Sequence, residues 1–477
     1  MKYEPVIGLE VHVQLNTKTK AFCGCPTTFG AEPNTQVCPV CLGFPGSLPV
    51  YNEEALSRAI KVALALDCKV QEYTKFDRKN YFYPDLPKDY QISQYDLPLS
   101  SAGFLDIEID GAPRRIGIIR VHMEEDAGKL IHRDDASLVD FNRTGVPLLE
   151  IVSEPDIRSP GEAYEYLSSL KSILLYLDVS DCDMEKGSLR CDANISLRPE
   201  GTKGLGVKSE LKNMNSFKAV REALIFEIER QTALLDQGEK LVQDTRLWDE
   251  KGSKTVSMRT KEGAQDYRYF PDPDLPPFVI TLKKIEEARN SIPEMPKEKA
   301  LRFVKEYGIP ENCAGIIVVS RQDALYAEEC FKLYKAADKK PVANWLIGPL
   351  ISEANSRGCG ISGLGVLARE LVELIGFVER QELSNLSAKS ALSAMIDEKK
   401  PAAVIVKEKN LIQISDSSEL QSAADEAIAE NAKSVNDYKA GKENALMFLV
   451  GQVMKKTKGK ANPKVAQELL KRRLDNA

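Results

Sequence analysis

The sequence predicts an α+β fold in which one large β-rich unit comes first and all-α domains follow. Several segments before Ile292 alternate apolar and polar residues, which is the period of a β-strand with one buried face. From Ile292 onward the chain changes to Ala-, Leu-, Glu- and Lys-rich stretches with helical spacing. A chain of 477 residues is long enough for about two to four domains of ordinary size.

The composition gives no support for a membrane protein or a secreted one. Hydrophobic residues make up 43% of the chain and charged residues 29%, which is typical of globular domains. No stretch approaches about 18 consecutive apolar residues, and the first residues lack the basic and apolar regions of a signal peptide. We therefore expect a cytoplasmic protein.

Charge is unevenly distributed along the chain. The net charge is −6, but residues 433–477 contain eleven Lys or Arg and four Asp or Glu, a net charge of +7. A basic tail on an acidic body favours contact between the tail and phosphate groups. A solvated helical surface explains the same charges equally well.

The first strand-like segment places three polar side chains on one face. In residues 7–15 every odd position is apolar, so alternation puts Glu10, His12 and Gln14 together on the opposite face. Residues two apart in a strand are separated by about 6.8 Å, so their side chains can flank one small polar site.

Further segments repeat this pattern of a polar face opposite an apolar one. They contribute Glu124 and Glu125 at the end of residues 119–125, Glu150 after residues 146–149, Arg190, Asp192 and Asn194 from residues 189–195, and Lys208, Glu210 and Lys212 from residues 207–212. Carboxylates beside an imidazole make an oxygen-rich site suited to Mg²⁺, which proteins often share with nucleotide phosphates. Basic residues on the same faces would offset charge on a transferring phosphoryl group.

These faces predict a Mg²⁺–nucleotide site on a sheet, although a half-exposed sheet with a solvated face is the alternative for any single strand. The sequence contains no Walker-type Gly-x-x-x-x-Gly-Lys-Ser/Thr motif and no Gly-x-Gly-x-x-Gly motif after a strand. Any nucleotide is therefore expected on a sheet face and not in a P-loop or Rossmann turn.

Four cysteines form two close pairs, Cys23 with Cys25 and Cys38 with Cys41. Four thiolates at such spacings are the usual closed ligand set for structural Zn²⁺ in a cytosolic chain. Four free, buried thiols are the alternative. A closed site leaves no position for water, so zinc here would stabilise a loop and would not catalyse.

Two helices have clear start signals. Ser159 and Glu162 predict a capping box with Pro160 at the first helical position. The last helix has Asn462 as its predicted cap and Pro463 in its first turn. The apolar residues at helical spacing are Ala163, Leu167, Leu170, Leu174 and Leu177 in the first helix, and Ala466, Leu469, Leu470 and Leu474 in the last. The prolines of residues 270–277 predict an ordered loop without regular structure.

Several motifs together resemble the B subunits of the aspartyl/glutamyl-tRNA(Asn/Gln) amidotransferases, the GatB family. They are residues 8–15, the cysteine quartet, and residues 81–88, 140–152, 257–262 and 266–274. The resemblance extends essentially from end to end.

The resemblance implies a fold with three parts and a reaction. Residues 1–292 would form a glutamine-synthetase-like cradle domain with a large, mainly antiparallel sheet, residues 293–405 a helical domain, and residues 406–477 a YqeY-like tail domain that binds tRNA. With ATP and Mg²⁺, the family phosphorylates the side-chain carboxylate of Glu or Asp on misacylated tRNA, and ammonia displaces the phosphate to give Gln-tRNA(Gln) or Asn-tRNA(Asn).

The resemblance also implies roles for individual residues, assigned by motif. The implied Mg²⁺ ligands are His12, Glu125 and Glu150. The implied acidic pocket around metal, ATP and ammonia adds Glu10, Glu124, Asp192 and Glu210. The implied phosphate contacts are Lys79, Arg259, Lys261 and Arg268, for which surface or interdomain ion pairs are the alternative.

Ammonia is expected to come from a partner protein. The chain has neither a Gly/Ser-rich amidase pattern with a catalytic Lys nor a convincing Cys–His pair, so it has little means to hydrolyse glutamine. The family supplies an amidase-type A subunit as the glutaminase and a small C subunit, in a heterotrimer.

Two other functions are alternatives to this one. A non-catalytic tRNA-binding scaffold explains the basic tail but not the carboxylates on strand faces. A stand-alone ATP-dependent ligase acting on a free amino acid explains the carboxylates but not the tail.

Overall fold

The chain divides into two compact units. A computed structural model describes residues 2–260, 267–412, 417–439, 442, 444–457, 461 and 463–475. The units are Met1–Met295 and Pro296–Ala477. The predicted three-part organisation, with boundaries at residues 292 and 405, stays a prediction.

Most strands of the first unit belong to one large sheet. The described strands are β1 (Tyr3–Gln14), β2 (Lys69–Val70), β3 (Tyr73–Thr74), β4 (Asp77–Asn80), β5 (Tyr90–Ser93), β6 (Ser100–Ile109), β7 (Ala112–Glu125), β8 (Lys129–His132), β9 (Ser137–Asp140), β10 (Pro147–Ser153), β11 (Leu189–Pro199), β12 (Ser209–Lys212), β13 (Asp244–Asp249), β14 (Lys254–Thr260), β15 (Phe270–Pro271) and β16 (Phe278–Val279). Nine of them form a sheet in the order β14-β13-β12-β11-β1-β10-β7-β6-β2.

The large sheet is antiparallel except where β12 and β13 pair in parallel. Small sheets are formed by β15-β4-β5, by β16-β3 and by β8-β9. With the helices of the second unit, this architecture confirms the α+β class and the mainly antiparallel sheet expected from the sequence.

One face of the large sheet is apolar and covered by helices. The odd positions of β1, Ile7, Leu9, Val11 and Val13, are completely buried, as their alternation predicts. They share a core with apolar residues of the helices in the first unit. These helices are α1 (Glu53–Ala65), α2 (Pro160–Tyr176), α3 (Phe217–Asp236) and α4 (Leu282–Asn290). Because helices cover the apolar face, the polar side chains of the same strands lie on the other face.

Two local predictions in this unit need correction. Ser159 caps α2 as predicted, but the Glu162 carboxylate accepts a hydrogen bond from the backbone N–H of Arg158 and not from Ser159, so the capping box is incomplete. The loop predicted at residues 270–277 begins with β15, which pairs with β4. Its position at an edge of the small sheet explains how a strand can contain Pro271.

The second unit is helical. Its described α-helices are α5 (Pro296–Tyr307), α6 (Glu311–Ile317), α7 (Arg321–Leu333), α8 (Lys340–Trp345), α9 (Ile351–Arg357), α10 (Ala368–Glu379), α11 (Asn385–Glu398), α12 (Ala402–Glu408), α13 (Ser417–Glu430), α14 (Ala432–Lys439), α15 (Asn444–Lys456) and α16 (Pro463–Asp475). A π-helix (Leu346–Leu350) joins α8 to α9, and a 3-10 helix (Ile361–Leu364) precedes α10. Ala466, Leu470 and Leu474 of α16 are buried, as predicted, in a core with α13 and α15. The predicted cap Asn462 lies outside the described residues. Among the helices that can be described, none is long and apolar enough to cross a membrane.

Candidate active site

A row of polar side chains crosses the centre of the large sheet. In the strand register, His122 of β7 lies opposite Glu150 of β10, Glu150 lies opposite His12 of β1, and His12 lies opposite Arg190 of β11. Cross-strand neighbours of this kind have Cβ atoms about 5 Å apart, so their side chains can interact directly. The Arg190 guanidinium pairs with Asp126 at 3.0 Å.

Two imidazoles and two carboxylates converge in this row, and we call His12, His122, Glu124 and Glu150 the His12 cluster. His122 Nε2 lies 2.7 Å from Glu150 Oε2 and 3.2 Å from Glu124 Oε1. His12 Nε2 lies 3.9 Å from Glu150 Oε1. One candidate ligand atom from each of His12, Glu124 and Glu150 falls within 4.8 Å of the others. This mixed oxygen and nitrogen set fits a hard divalent cation.

The electrostatics of the His12 cluster favour charged carboxylates. Burial by itself lowers the pKa of His122, but hydrogen bonds and charge from Glu124 and Glu150 outweigh it and raise the pKa to about 9. Burial opposes ionisation of Glu124, yet the hydrogen bond and charge of His122 lower its pKa well below the usual range. The pKa of Glu150 is lowered against burial by the same histidine. Both carboxylates are therefore ionised at neutral pH, with a protonated His122 between them.

Lys79 supplies positive charge beside the His12 cluster. Burial disfavours its ammonium, but the charges of Glu124, Tyr269 and Glu150 raise its pKa above the usual value. The Lys79 Nζ atom lies 5.1 Å from the centroid of the Tyr267 ring. The role of Lys79 as a phosphate contact stays a prediction.

Consecutive carboxylates at the end of β7 have different partners. Glu124 accepts hydrogen bonds from Ser93 Oγ (2.7 Å) and Gln91 Nε2 (3.1 Å) of β5. Glu125 instead pairs with Lys88 Nζ at 2.5 Å and accepts the backbone N–H of Ile92. Because successive strand residues point to opposite sides, Glu124, and not the predicted ligand Glu125, meets His12 and Glu150.

Glu125 and Lys88 border a separate hollow of about 220 Å³. Lys20 and Cys41 also line it. The role of Glu125 as a metal ligand stays a prediction.

A second polar group lies on the same sheet face, centred on Lys212. Its ammonium contacts Asp192 and lies 3.1 Å from Glu210 Oε1. Burial opposes this charge, but Asp192 and Glu210 raise the pKa of Lys212 above its usual value. Thr245 Oγ1 donates a hydrogen bond to Glu210. Predicted acidic residues Asp192 and Glu210 are therefore brought together by a lysine.

Glu10 lies between these two groups. It is opposite Asp192 on β11 in the register and accepts a hydrogen bond from Asn194 Nδ2 at 2.8 Å. It is also two residues before His12 on β1. Of the predicted acidic residues, Glu10, Glu124, Glu150, Asp192 and Glu210 thus share one face of the sheet, and Glu125 does not.

The other three predicted basic residues differ in what the structure describes. The Arg268 guanidinium carbon lies 5.9 Å from the centroid of the Phe82 ring, and Asn80 Nδ2 donates to the Arg268 carbonyl. Arg259 lies opposite Thr245 in the pairing of β14 with β13. Lys261 lies outside the described residues.

The cysteine quartet is assembled in a loop region after β1. The four Sγ atoms fall within 4.8 Å of one another, and those of Cys38 and Cys41 are 3.9 Å apart. A tetrahedral site with Zn–S bonds of about 2.3 Å implies S···S separations of about 3.8 Å, so the arrangement fits zinc. The hydrogen bond from Cys23 and the charge of Lys20, whose Nζ lies 3.6 Å from Cys41 Sγ, lower the pKa of Cys41 well below its usual value.

Sequence reasoning assigned no role to His122 or Lys88. His122 lies two residues before Glu124, so strand alternation puts both on one face, and this signal was sufficient to find it. Lys88 carries no comparable signal, because its contact with Glu125 joins a loop residue to a strand end.

Two family models match the chain. The model described as the GatB/GatE catalytic domain matches residues 5–286. The model described as the GatB domain matches residues 326–474. The first match contains the large sheet and the His12 cluster.

Curated relatives match over nearly their full lengths. A protein of Carboxydothermus hydrogenoformans is 54% identical over 478 residues, covering 99% of both chains. Proteins of Caldanaerobacter subterraneus and Persephonella marina are 54% and 52% identical over 475 residues, covering 99% of this chain and 100% of theirs. All three are named as the B subunit of an aspartyl/glutamyl-tRNA(Asn/Gln) amidotransferase.

Proposed function

The chain belongs to the family of B subunits of the aspartyl/glutamyl-tRNA(Asn/Gln) amidotransferases, and we propose that it performs the ATP-dependent amidation step of that enzyme. The γ-phosphoryl group of ATP is transferred to the side-chain carboxylate of Glu on tRNA(Gln) or Asp on tRNA(Asn), and ADP leaves. Ammonia then attacks the acyl phosphate and displaces inorganic phosphate, which leaves the amide on Gln-tRNA(Gln) or Asn-tRNA(Asn).

The observation that carries this proposal is the convergence of His12, Glu124 and Glu150 on one sheet face beside Lys79. When bound there, Mg²⁺ would neutralise charge on the transferring phosphate oxygens. His122 keeps Glu124 and Glu150 ionised and oriented toward it. Glu125 would join the metal only after leaving Lys88.

Other residues of the face have proposed roles in binding. Lys79 offsets negative charge on phosphate, and we assign the same role to Arg259, Lys261 and Arg268. Glu10, Asp192 and Glu210 form an acidic lining that would accept hydrogen bonds from incoming ammonia and that orients Lys212.

The cysteine quartet is proposed to hold one structural Zn²⁺. The loop that contains it packs at one side of the first unit, where Asn34 and Gln36 bond to residues 139–142. A metal at this point would fix the loop against residues 139–142, which lie just before β10.

Partners complete the reaction. We propose an amidase-type A subunit that releases ammonia from glutamine, a small C subunit, and misacylated tRNA bound partly by the basic residues 433–477. Because this substrate belongs to translation, we place the enzyme in the cytoplasm.

The test uses the heterotrimer with misacylated tRNA(Gln), ATP and Mg²⁺, and follows Gln-tRNA formation with either glutamine or free ammonia. We compare wild type with His12→Ala and with His132→Ala, an exposed histidine of β8 that serves as the matched control. We expect His12→Ala to be inactive with both nitrogen sources while glutaminase activity persists. The His132→Ala variant should remain active.

Three other outcomes would contradict the proposed role of the site. Rescue of His12→Ala by free ammonia would move His12 from the activation step to ammonia delivery. Full activity in a Glu124→Gln variant would favour a scaffold role for the acidic face. Amidation of free glutamate without tRNA would favour a stand-alone ligase.

A further inference from the structure

A partly exposed strip of aromatic rings lies beside the His12 cluster, and we propose that it stacks the unpaired 3′ nucleotides of the misacylated tRNA. We define the aromatic strip as Tyr81, Phe82, Tyr95, Tyr267 and Tyr269. This inference rests on the proposed function, because it concerns how the tRNA substrate of that site is held.

Four of the rings contact one another in series. Tyr81 lies 5.9 Å from Tyr267, Tyr267 lies 6.3 Å from Tyr269, and Tyr269 stacks on Tyr95 at 4.4 Å with an angle of 10° between the rings. Phe82 follows Tyr81 directly in the chain, and its ring lies 5.9 Å from the Arg268 guanidinium carbon. The four tyrosines therefore form one connected series, and Phe82 adjoins it through the chain and Arg268.

The three-stranded sheet β15-β4-β5 places this surface next to the reacting groups. Tyr81 follows β4, Tyr95 follows β5, and Tyr267 and Tyr269 precede β15. Strand β5 also holds Glu124 of the His12 cluster through Gln91 and Ser93. The same small sheet thus contacts the proposed metal site and carries the aromatic strip at its ends.

Two rings of the strip are largely open to solvent. Phe82 is 71% exposed and Tyr95 is 63% exposed. Large aromatic side chains of this kind are enriched where a protein binds a partner, because each offers a wide apolar face at low entropic cost. Bases stack on such faces irrespective of sequence.

Positive charge accompanies the rings. Lys79 Nζ lies 5.1 Å from the Tyr267 centroid, and Arg268 lies beside Phe82. Aromatic faces interleaved with cations are the arrangement that holds single-stranded nucleic acid, since rings contact bases while cations contact phosphates.

The geometry favours the tRNA end over the adenine of ATP. The amino acid that reacts is esterified to the terminal nucleotide of tRNA, so that end must lie within a few ångströms of the His12 cluster. ATP offers one base, whereas the strip offers a series of rings long enough for more than one. The unpaired end of tRNA supplies several consecutive bases.

The test measures KM for misacylated tRNA(Gln) in the heterotrimer with Tyr95→Ala and Phe82→Ala variants. Tyr95→Phe keeps the stacking ring without the hydroxyl, and Tyr73→Ala removes a comparably exposed tyrosine of β3 outside the strip. We expect each strip Ala variant to raise KM for tRNA about tenfold. KM for ATP and glutaminase turnover should not change, and both control variants should match wild type.

A second arm replaces the penultimate base of the tRNA with an abasic sugar. Loss of this base should raise KM in the wild type but add little in the Tyr95→Ala variant, because the same stacking contact is already absent. An unchanged KM for tRNA in the strip Ala variants, or additive effects in both variants with the abasic tRNA, would overturn the inference.

Other results would reassign the strip. An increase in KM for ATP alone would make it an adenine site, and loss of the heterotrimer on gel filtration would make it a subunit interface. Failure of the wild type to form Gln-tRNA would instead refute the proposed function, so the two failures are distinguishable.

Discussion

His122 Nε2 lies 2.7 Å from Glu150 Oε2, and the same nitrogen lies 3.2 Å from Glu124 Oε1. One buried imidazolium therefore separates two carboxylates that would otherwise repel each other. Metal sites commonly have such an arrangement, in which a residue that does not bind the metal orients the residues that do.

Removal of His122 should weaken metal binding without removing a ligand. In His122→Ala, Glu124 and Glu150 lose their shared hydrogen-bond donor and one positive charge, so their orientation is lost. We expect the Mg²⁺ concentration for half-maximal amidation to rise roughly 10- to 100-fold. A magnesium titration of Gln-tRNA formation checks this, with His132→Ala as control; an unchanged titration would mean that His122 does not orient the ligands.

The buried pair of Lys88 and Glu125 should be a large contributor to stability. Their side chains are 9% and 1% exposed, so a single substitution leaves one charge buried and unpaired. We expect Lys88→Met to lower the free energy of unfolding by about 3–5 kcal/mol. Urea unfolding of the purified chain measures the change.

The double variant provides the control for this pair. In Lys88→Met combined with Glu125→Gln neither charge remains, so much of the lost stability should return. If the double variant is as unstable as Lys88→Met alone, the pair does not act through charge.

The strands of the large sheet could be predicted from the sequence, but their neighbours could not. Alternation at Ile7, Leu9, Val11 and Val13 defines β1 and its faces, because burial of one face imposes a period of two. No local sequence pattern predicts that β1 lies between β10 and β11, because those strands are more than a hundred residues away in the chain. The pairing depends on contacts that form only in the folded protein.

The site could be predicted only in part, for the same reason. Motif resemblance assigned Glu125 to the metal, whereas the side of β7 that faces His12 carries Glu124. The choice between two adjacent carboxylates depends on the register that sets His122 opposite Glu150. The aromatic strip depends similarly on three separate segments that the small sheet brings together.

Acid should weaken an ion-pair network in the helical unit. Glu328 of α7 lies 3.1 Å from Arg302 and 2.8 Å from Lys332. Burial opposes its charge, but these cations lower its pKa to about 2. Because the pKa in the folded chain is below the ordinary value of 4.5, the stabilisation is present above about pH 4.5 and is lost as the pH falls through about 2.

Comparison with Glu328→Gln isolates this effect. At neutral pH the free energy of unfolding of the wild type should be about 1 kcal/mol higher than that of the variant. This difference should shrink steadily below about pH 4.5. Urea unfolding midpoints of both proteins across the acid range give the measurement. A difference that is constant with pH would show that packing, and not charge, separates the two proteins.

Removal of zinc should destabilise the cysteine loop but leave amidation activity in place. The four Sγ atoms fall within 4.8 Å of one another, and a closed four-thiolate site leaves no position for water. We expect one zinc per purified chain and almost none in Cys38→Ser, with Cys359→Ser, an exposed cysteine, as control. Amide hydrogen exchange in residues 23–41 should accelerate at least about tenfold in Cys38→Ser, a loss of about 1.4 kcal/mol of local stability. Amidation at saturating substrate should persist. If the wild type instead contains no zinc and Cys38→Ser leaves its amide hydrogen exchange unchanged, the four cysteines are free thiols.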